Sequence, residues 1–108
     1  KTVNFMIIYN VTVNVENSIA GDWIEWMKDV HIPQMISTGC FIEAKLQKLV
    51  LDKKDEKTFA VAYKCSSIKE LKKYQTKYAN ALQDEHIKRY KDKALAFRTV
   101  LEVIAEFR

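Results

Sequence analysis

From Phe5 to Val15 every second residue is apolar, through Phe5, Ile7, Tyr9, Val11, Val13 and Val15, and Asn10, Thr12 and Asn14 fall between them. A period of two over such a stretch is the mark of a β-strand with one buried face. A strand of that kind cannot stand alone. It needs neighbouring strands for its backbone groups and a layer of side chains over its apolar face, so the rest of the chain must supply both.

The following segments meet that requirement. Asn17 and Ser18 offer an N-cap, and Ile19, Trp23, Met27 and Val30 then recur at helical spacing, predicting a first helix from about Ile19 to about Val30. Pro33 disfavours helical geometry at Ile32, so the helix is expected to stop there, with a further short turn over 34–38 and a left-handed stop at Gly39. Phe41 to Leu51 reads as a second strand and Thr58 to Cys65 as a third, joined by the polar run 52–57 as a hairpin. Ser67 to Glu70 forms a capping box for a long second helix, with Ile68, Leu71, Tyr74, Tyr78, Leu82 and Tyr90 on its inner stripe. Leu95 to Phe107 closes the chain as a fourth strand.

Strand, helix, strand, strand, helix, strand is the ferredoxin-like order. It predicts an α+β fold with a four-stranded antiparallel sheet, strand order 4-1-3-2, and both helices on one face. Parity then assigns the second sheet face. If the odd residues of the first strand and Phe59, Val61, Tyr63 and Cys65 face the helices, the open face receives Ile8, Asn10, Thr12, Ala60 and Ala62. The fourth strand is apolar on both faces, through Leu95, Phe97 and Leu101 on one side and Ala96 and Val100 on the other. A third layer is therefore expected, and a second copy of the chain packed sheet to sheet is its economical source. The fold is then half of a symmetric assembly.

Composition narrows the class further. The chain has 108 residues, of which 48% are hydrophobic and 30% charged, with two glycines and one proline. That profile suits one folded domain over 6–108; residues 1–5 read as an upstream extension or an added remnant. A net charge of +4 is spread among interspersed signs, and the lysine-rich stretch 69–93 overlaps a helix whose outer face must be polar. No run reaches the ~20 apolar residues of a membrane span, and Cys40 and Cys65 form no CxxC pair, so a cytoplasmic protein with reduced thiols is expected. Nucleic-acid binding is disfavoured, because parity puts alanines, and not stacking aromatics, on the open face of the third strand.

Tyr9, Trp26, His31, His86 and Arg98 are the ligand-pocket candidates. His31, at the end of the first helix, suits either a general base at a pocket mouth or a cation against the negative end of the helix dipole. His86 suits a half-exposed helix position or a buried acid-base role. Trp23 and Trp26 are three apart and read as core packing or as an aromatic wall for a ligand. Arg98, on a central strand, requires a carboxylate from Glu43, Glu102 or a bound anion. The histidines have no HxxxH or HxxE spacing, so neither a metal site nor a cofactor is expected.

The segments Met6 to Val13, Trp23-Ile24-Glu25-Trp26-Met27, His31-Ile32-Pro33 and Thr38-Gly39-Cys40-Phe41 together resemble a bacterial family described as a domain of unknown function. Ala79 to Leu82, Glu85-His86 and Ala96 to Thr99 are similar as well. The resemblance covers nearly the whole domain; its most specific part is the W-x-x-W-M-x-x-x-H-I-P motif. It implies the fold and dimerisation and assigns no catalytic residue. In layout the family is similar to the dimeric α+β barrel proteins, which include small monooxygenases, isomerising enzymes and effector-binding domains. Three functions follow as expectations: a homodimeric small-molecule binding domain, a cofactor-independent monooxygenase or isomerase using the same pocket, or an interaction module without a pocket.

Overall fold

The computed structural model describes residues 6–108, so the expected extension at 1–5, with Phe5, lies outside the described residues. Strand β1 (Ile7–Glu16) is central. It pairs antiparallel with β3 (Glu56–Cys65) and β4 (Ala94–Glu102), and β2 (Glu43–Lys48) adds to the far side of β3. The order β2-β3-β1-β4 is the expected 4-1-3-2 read from the other edge. Register bears out the parity argument. Tyr9 lies opposite Tyr63 and Val13 opposite Phe59, and these four side chains are buried under the helices. Asn10, Thr12, Ala60 and Ala62 share the other face with Leu95, Phe97 and Leu101, and Phe97 is 58% exposed there.

The first helical segment departs from expectation. After a 3-10 turn at Asn17–Ile19, helix α1 (Ala20–Trp26) runs through a π-helical turn (Met27–His31) directly into helix α2 (Ile32–Ser37). Pro33 does not end the helix. The N–H of Ile32 reaches back five residues to the Met27 carbonyl, and Pro33, in the first turn of α2, has no N–H to leave unpaired. The wide turn also has a packing consequence. Trp23, Met27, His31 and Met35 are spaced by four and all are buried. In a regular helix each such step drifts by about 40°, since four residues at 3.6 per turn overshoot one turn. The π-turn takes up part of that drift and keeps the four on one face.

Asn17 does not cap this helix. Its side chain donates to the Lys54 carbonyl (2.8 Å), holding the β2–β3 hairpin against the end of β1. Within the hairpin, Asp52 accepts hydrogen bonds from the backbone N–H groups of Lys53 and Thr58. β2 is shorter than expected: Leu49 still donates to the Thr58 carbonyl of β3, and Val50 and Leu51 run on beyond the sheet as exposed residues.

The second helix is broken. α3 (Ile68–Lys77), capped by Ser67 as expected, and α4 (Ala79–Tyr90) meet at Tyr78, whose φ of −125° interrupts the spiral. The break resets the phase of the buried stripe to Ala79, Leu82, His86 and Tyr90, leaves Tyr78 half-buried, and Ile68 is exposed. β4 ends at Glu102 rather than Phe107, although Val103 still donates to the Met6 carbonyl.

Gly39 ends α2 with φ +78°, and its N–H bonds to the Ile36 carbonyl at 3.0 Å. An L side chain is strained at that φ. Gly39→Ala is expected to cost about 1 kcal/mol in urea denaturation; an unchanged midpoint would contradict the left-handed cap.

Candidate functional site

The π-turn brings His31 under α4, and the break at Tyr78 turns His86 toward it. The two rings lie 6.1 Å apart, centre to centre, with 8% and 7% of each residue exposed. His86 is therefore a core residue and not a half-exposed one. Its Nε2 accepts a hydrogen bond from Trp23 Nε1–H at 2.9 Å. An indole N–H can only donate, so His86 Nε2 must be unprotonated, and the neutral ring carries its proton on Nδ1.

Trp26 stacks on His31 at 5.1 Å and 25°, and the Arg89 guanidinium lies 5.5 Å above the Trp26 ring. Arg89 Nε donates to the Tyr90 hydroxyl, which donates to Asp22 Oδ2 at 2.8 Å. Trp26 is thus held from behind by α4 and backs His31 rather than lining the space in front of it.

That space is a cavity of about 30 Å³ between the helices and the sheet. Its polar wall is Tyr9, Tyr63, Tyr74, Gln83, the two histidines and Arg98; its apolar wall comes from β1, Met27, Met35 and Ala96. Tyr74 packs against Tyr9 with ring centres 5.5 Å apart, and Gln83 lies on the same wall. Arg98 pairs with Val11 across β1 and β4, so its side chain is on the helix side of the sheet. β4 is an edge strand and not the central one expected, so Arg98 is exposed and the pocket opens along that edge. Among the described residues Arg98 makes no ion pair: Glu43 joins Lys64 on the opposite sheet face, and no salt bridge reaches Glu102. The expected protein carboxylate is absent from the pocket wall.

Burial is the main cause that pushes His31 down to about 4; repulsion from His86, where that ring is protonated, and from Arg98 acts in the same direction. Burial and then Arg98 bring His86 to about 4 as well. Burial raises the Tyr63 and Tyr74 hydroxyls well above their usual range, so both stay protonated donors. His31 Nδ1 is buried with no hydrogen-bond partner. A volume of this size holds one or two waters or the head group of a small ligand, and is far below the 300–1,000 Å³ of clefts that engulf drug-sized molecules. Among the described residues no cluster of His, Cys, Asp and Glu suits a metal ion.

Four of the five expected residues, Tyr9, His31, His86 and Arg98, meet at this cavity, and Trp26 lies one layer behind. Tyr63, Tyr74 and Gln83 were not among the expected set. Tyr63 and Tyr74 carry only a core signal in the sequence, and Gln83 comes inward because of the helix break.

Both rings are neutral in the folded protein and titrate near pH 6.5 when unfolded. Between about pH 6.5 and 4 the unfolded chain takes up protons that the folded chain refuses. Stability should be level above pH 6.5 and fall as pH drops through that window, by about 3 kcal/mol per ring at most. Denaturation at several pH values checks this. The double variant His31→Gln, His86→Gln should flatten the slope, and an unchanged slope would show that the rings are not its source.

Comparison with known proteins fits this architecture. No curated protein matches the chain. A Bacillus cereus crystal structure, provisionally assigned as an antibiotic biosynthesis monooxygenase, superposes with a TM-score of 0.67 at 16% identity, covering 96% of this chain and 98% of that one. The crystal structure of a dimeric ferredoxin-like protein from an uncultured marine organism superposes at 0.70 with 11% identity, covering 95% and 99%. These likenesses establish the ferredoxin-like fold. Residues 6–104 match the family described as a domain of unknown function (DUF4286), and the chain belongs to that family.

Proposed function

We propose that the protein is a homodimeric small-molecule binding domain, with one ligand pocket per subunit between the helices and the sheet. The observation that carries the pocket is the polar character of a position where a filled core would be apolar. Two buried neutral histidines, three tyrosines, Gln83 and Arg98 converge on one cavity. Keeping His31 Nδ1 buried and unpaired costs about 1–3 kcal/mol, which a site kept only for packing would avoid by using an apolar side chain. These features weigh against a pocketless interaction module.

Dimerisation rests on the open sheet face. Leu95, Phe97 and Leu101 stand exposed beside the small side chains of Ala60, Ala62 and Thr12, a shape that a second sheet can cover. The marine structural neighbour is described as dimeric, which supports this reading. The same face is poor in aromatics and unsuited to stacking bases. Among the described residues no helix is long and apolar enough to cross a membrane. A cytoplasmic location belongs to the same proposal, supported by the two buried free thiols.

A cofactor-independent enzyme in the same pocket is the second reading, favoured by the neutral histidines. A ring that is unprotonated at neutral pH can accept a proton from a bound substrate.

Sedimentation at micromolar concentration should give a dimer, and Phe97→Asp should shift it to monomer without unfolding it. Mass spectrometry of protein purified under native conditions should release a small molecule, reduced in His31→Phe. A wild-type monomer would overturn the dimer, and a pocket that carries nothing and takes up nothing would overturn the ligand site.

A further inference from the structure

The electrostatics of the pocket restrict what can enter it, given the ligand-site reading above on which this inference rests. Its wall contains a single formal charge, the Arg98 guanidinium, and no carboxylate. Arg98 lines the same cavity as His31, His86, Tyr63 and Tyr74, so its charge shares one space with polar groups from both helical segments and from β3. The hydrogen bond from Trp23 occupies the acceptor nitrogen of His86 and leaves that ring only a donor, Nδ1–H. The tyrosine hydroxyls are held protonated by burial. The set is rich in donors and positive, and it has no counter-charge of its own.

We propose that the pocket takes a small organic monocarboxylate, its two oxygens held by the Arg98 guanidinium and the neighbouring tyrosine and histidine donors, with its apolar body over Val11 and Ala96. Three features select this class. The planar guanidinium fork matches a carboxylate bidentately. One cation balances one negative charge and leaves a phosphate dianion half-compensated. A narrow cavity of about 30 Å³ suits a flat two-oxygen group better than a bulkier tetrahedral one. The body of the ligand must then leave by the mouth, where Val11 and Ala96 form the wall beside Arg98.

The full-length chain can be titrated with acetate, propionate and benzoate, with the matching amides acetamide, propionamide and benzamide, and with inorganic phosphate. Amide and imidazole NMR signals of Val11, Ala96, His31 and His86 report binding. The carboxylates should shift these signals at least tenfold more tightly than the amides, with benzoate tightest and phosphate weaker than all three. Arg98→Gln should weaken carboxylate binding at least tenfold while leaving the denaturation midpoint unchanged, because the exposed side chain makes no ion pair. Amides binding as well as carboxylates would overturn the charge class and leave the pocket standing. Phosphate binding more tightly would overturn the monoanion argument, and carboxylate binding undiminished in Arg98→Gln would overturn the anchor. No shift from any probe would overturn this inference and the ligand site together.

Discussion

The hydrogen bond from Trp23 Nε1–H to His86 Nε2 is the interaction on which the site depends. It joins two helices 63 residues apart in sequence, and it does so in the dry interior, where an unpaired indole N–H or imidazole nitrogen would be costly. Trp23 is fully buried and packs on Phe59 of β3 at 4.8 Å, so the bond also registers α4 against the sheet. Once His86 is fixed in this way, His31 faces a neutral ring rather than a cation. Two histidines 6.1 Å apart are then compatible with burial.

The backbone irregularities serve the same arrangement. A straight α-helix from Ala20 to Ser37 would carry His31 and Met35 progressively away from the face that holds Trp23. The π-turn restores them, and π-turns in α-helices often accompany functional positions. Likewise the break at Tyr78 lets Tyr74 of α3 and Gln83 of α4 approach the same space. The outer cluster of Asp22, Arg89 and Tyr90 then holds Trp26 over His31 from the solvent side.

Much of this was legible in the sequence, and the reason differs by element. The sheet followed from strict alternation in β1 and β3, because a one-residue slip would turn every side chain to the wrong face. Arg98 stood out as a charge on a strand with no certain partner. The π-turn was hidden because Pro33 obeys a local rule that tertiary structure can satisfy in two ways, by stopping the helix or by widening the turn before it. The four-residue spacing of Trp23, Met27, His31 and Met35 was the available clue to the second. His86 was harder still, since its burial depends on a helix break at Tyr78 that no glycine or proline marks.

The protonation pattern of His86 is the most direct test, since the neutral pocket and its donor character both follow from it. Long-range nitrogen–proton NMR of the imidazole at pH 7 distinguishes a protonated ring nitrogen from a bare one. The expected result is a bare Nε2 and a protonated Nδ1, persisting to below pH 5. A protonated Nε2, or an imidazolium at pH 7, would contradict the Trp23–His86 bond and the site built on it.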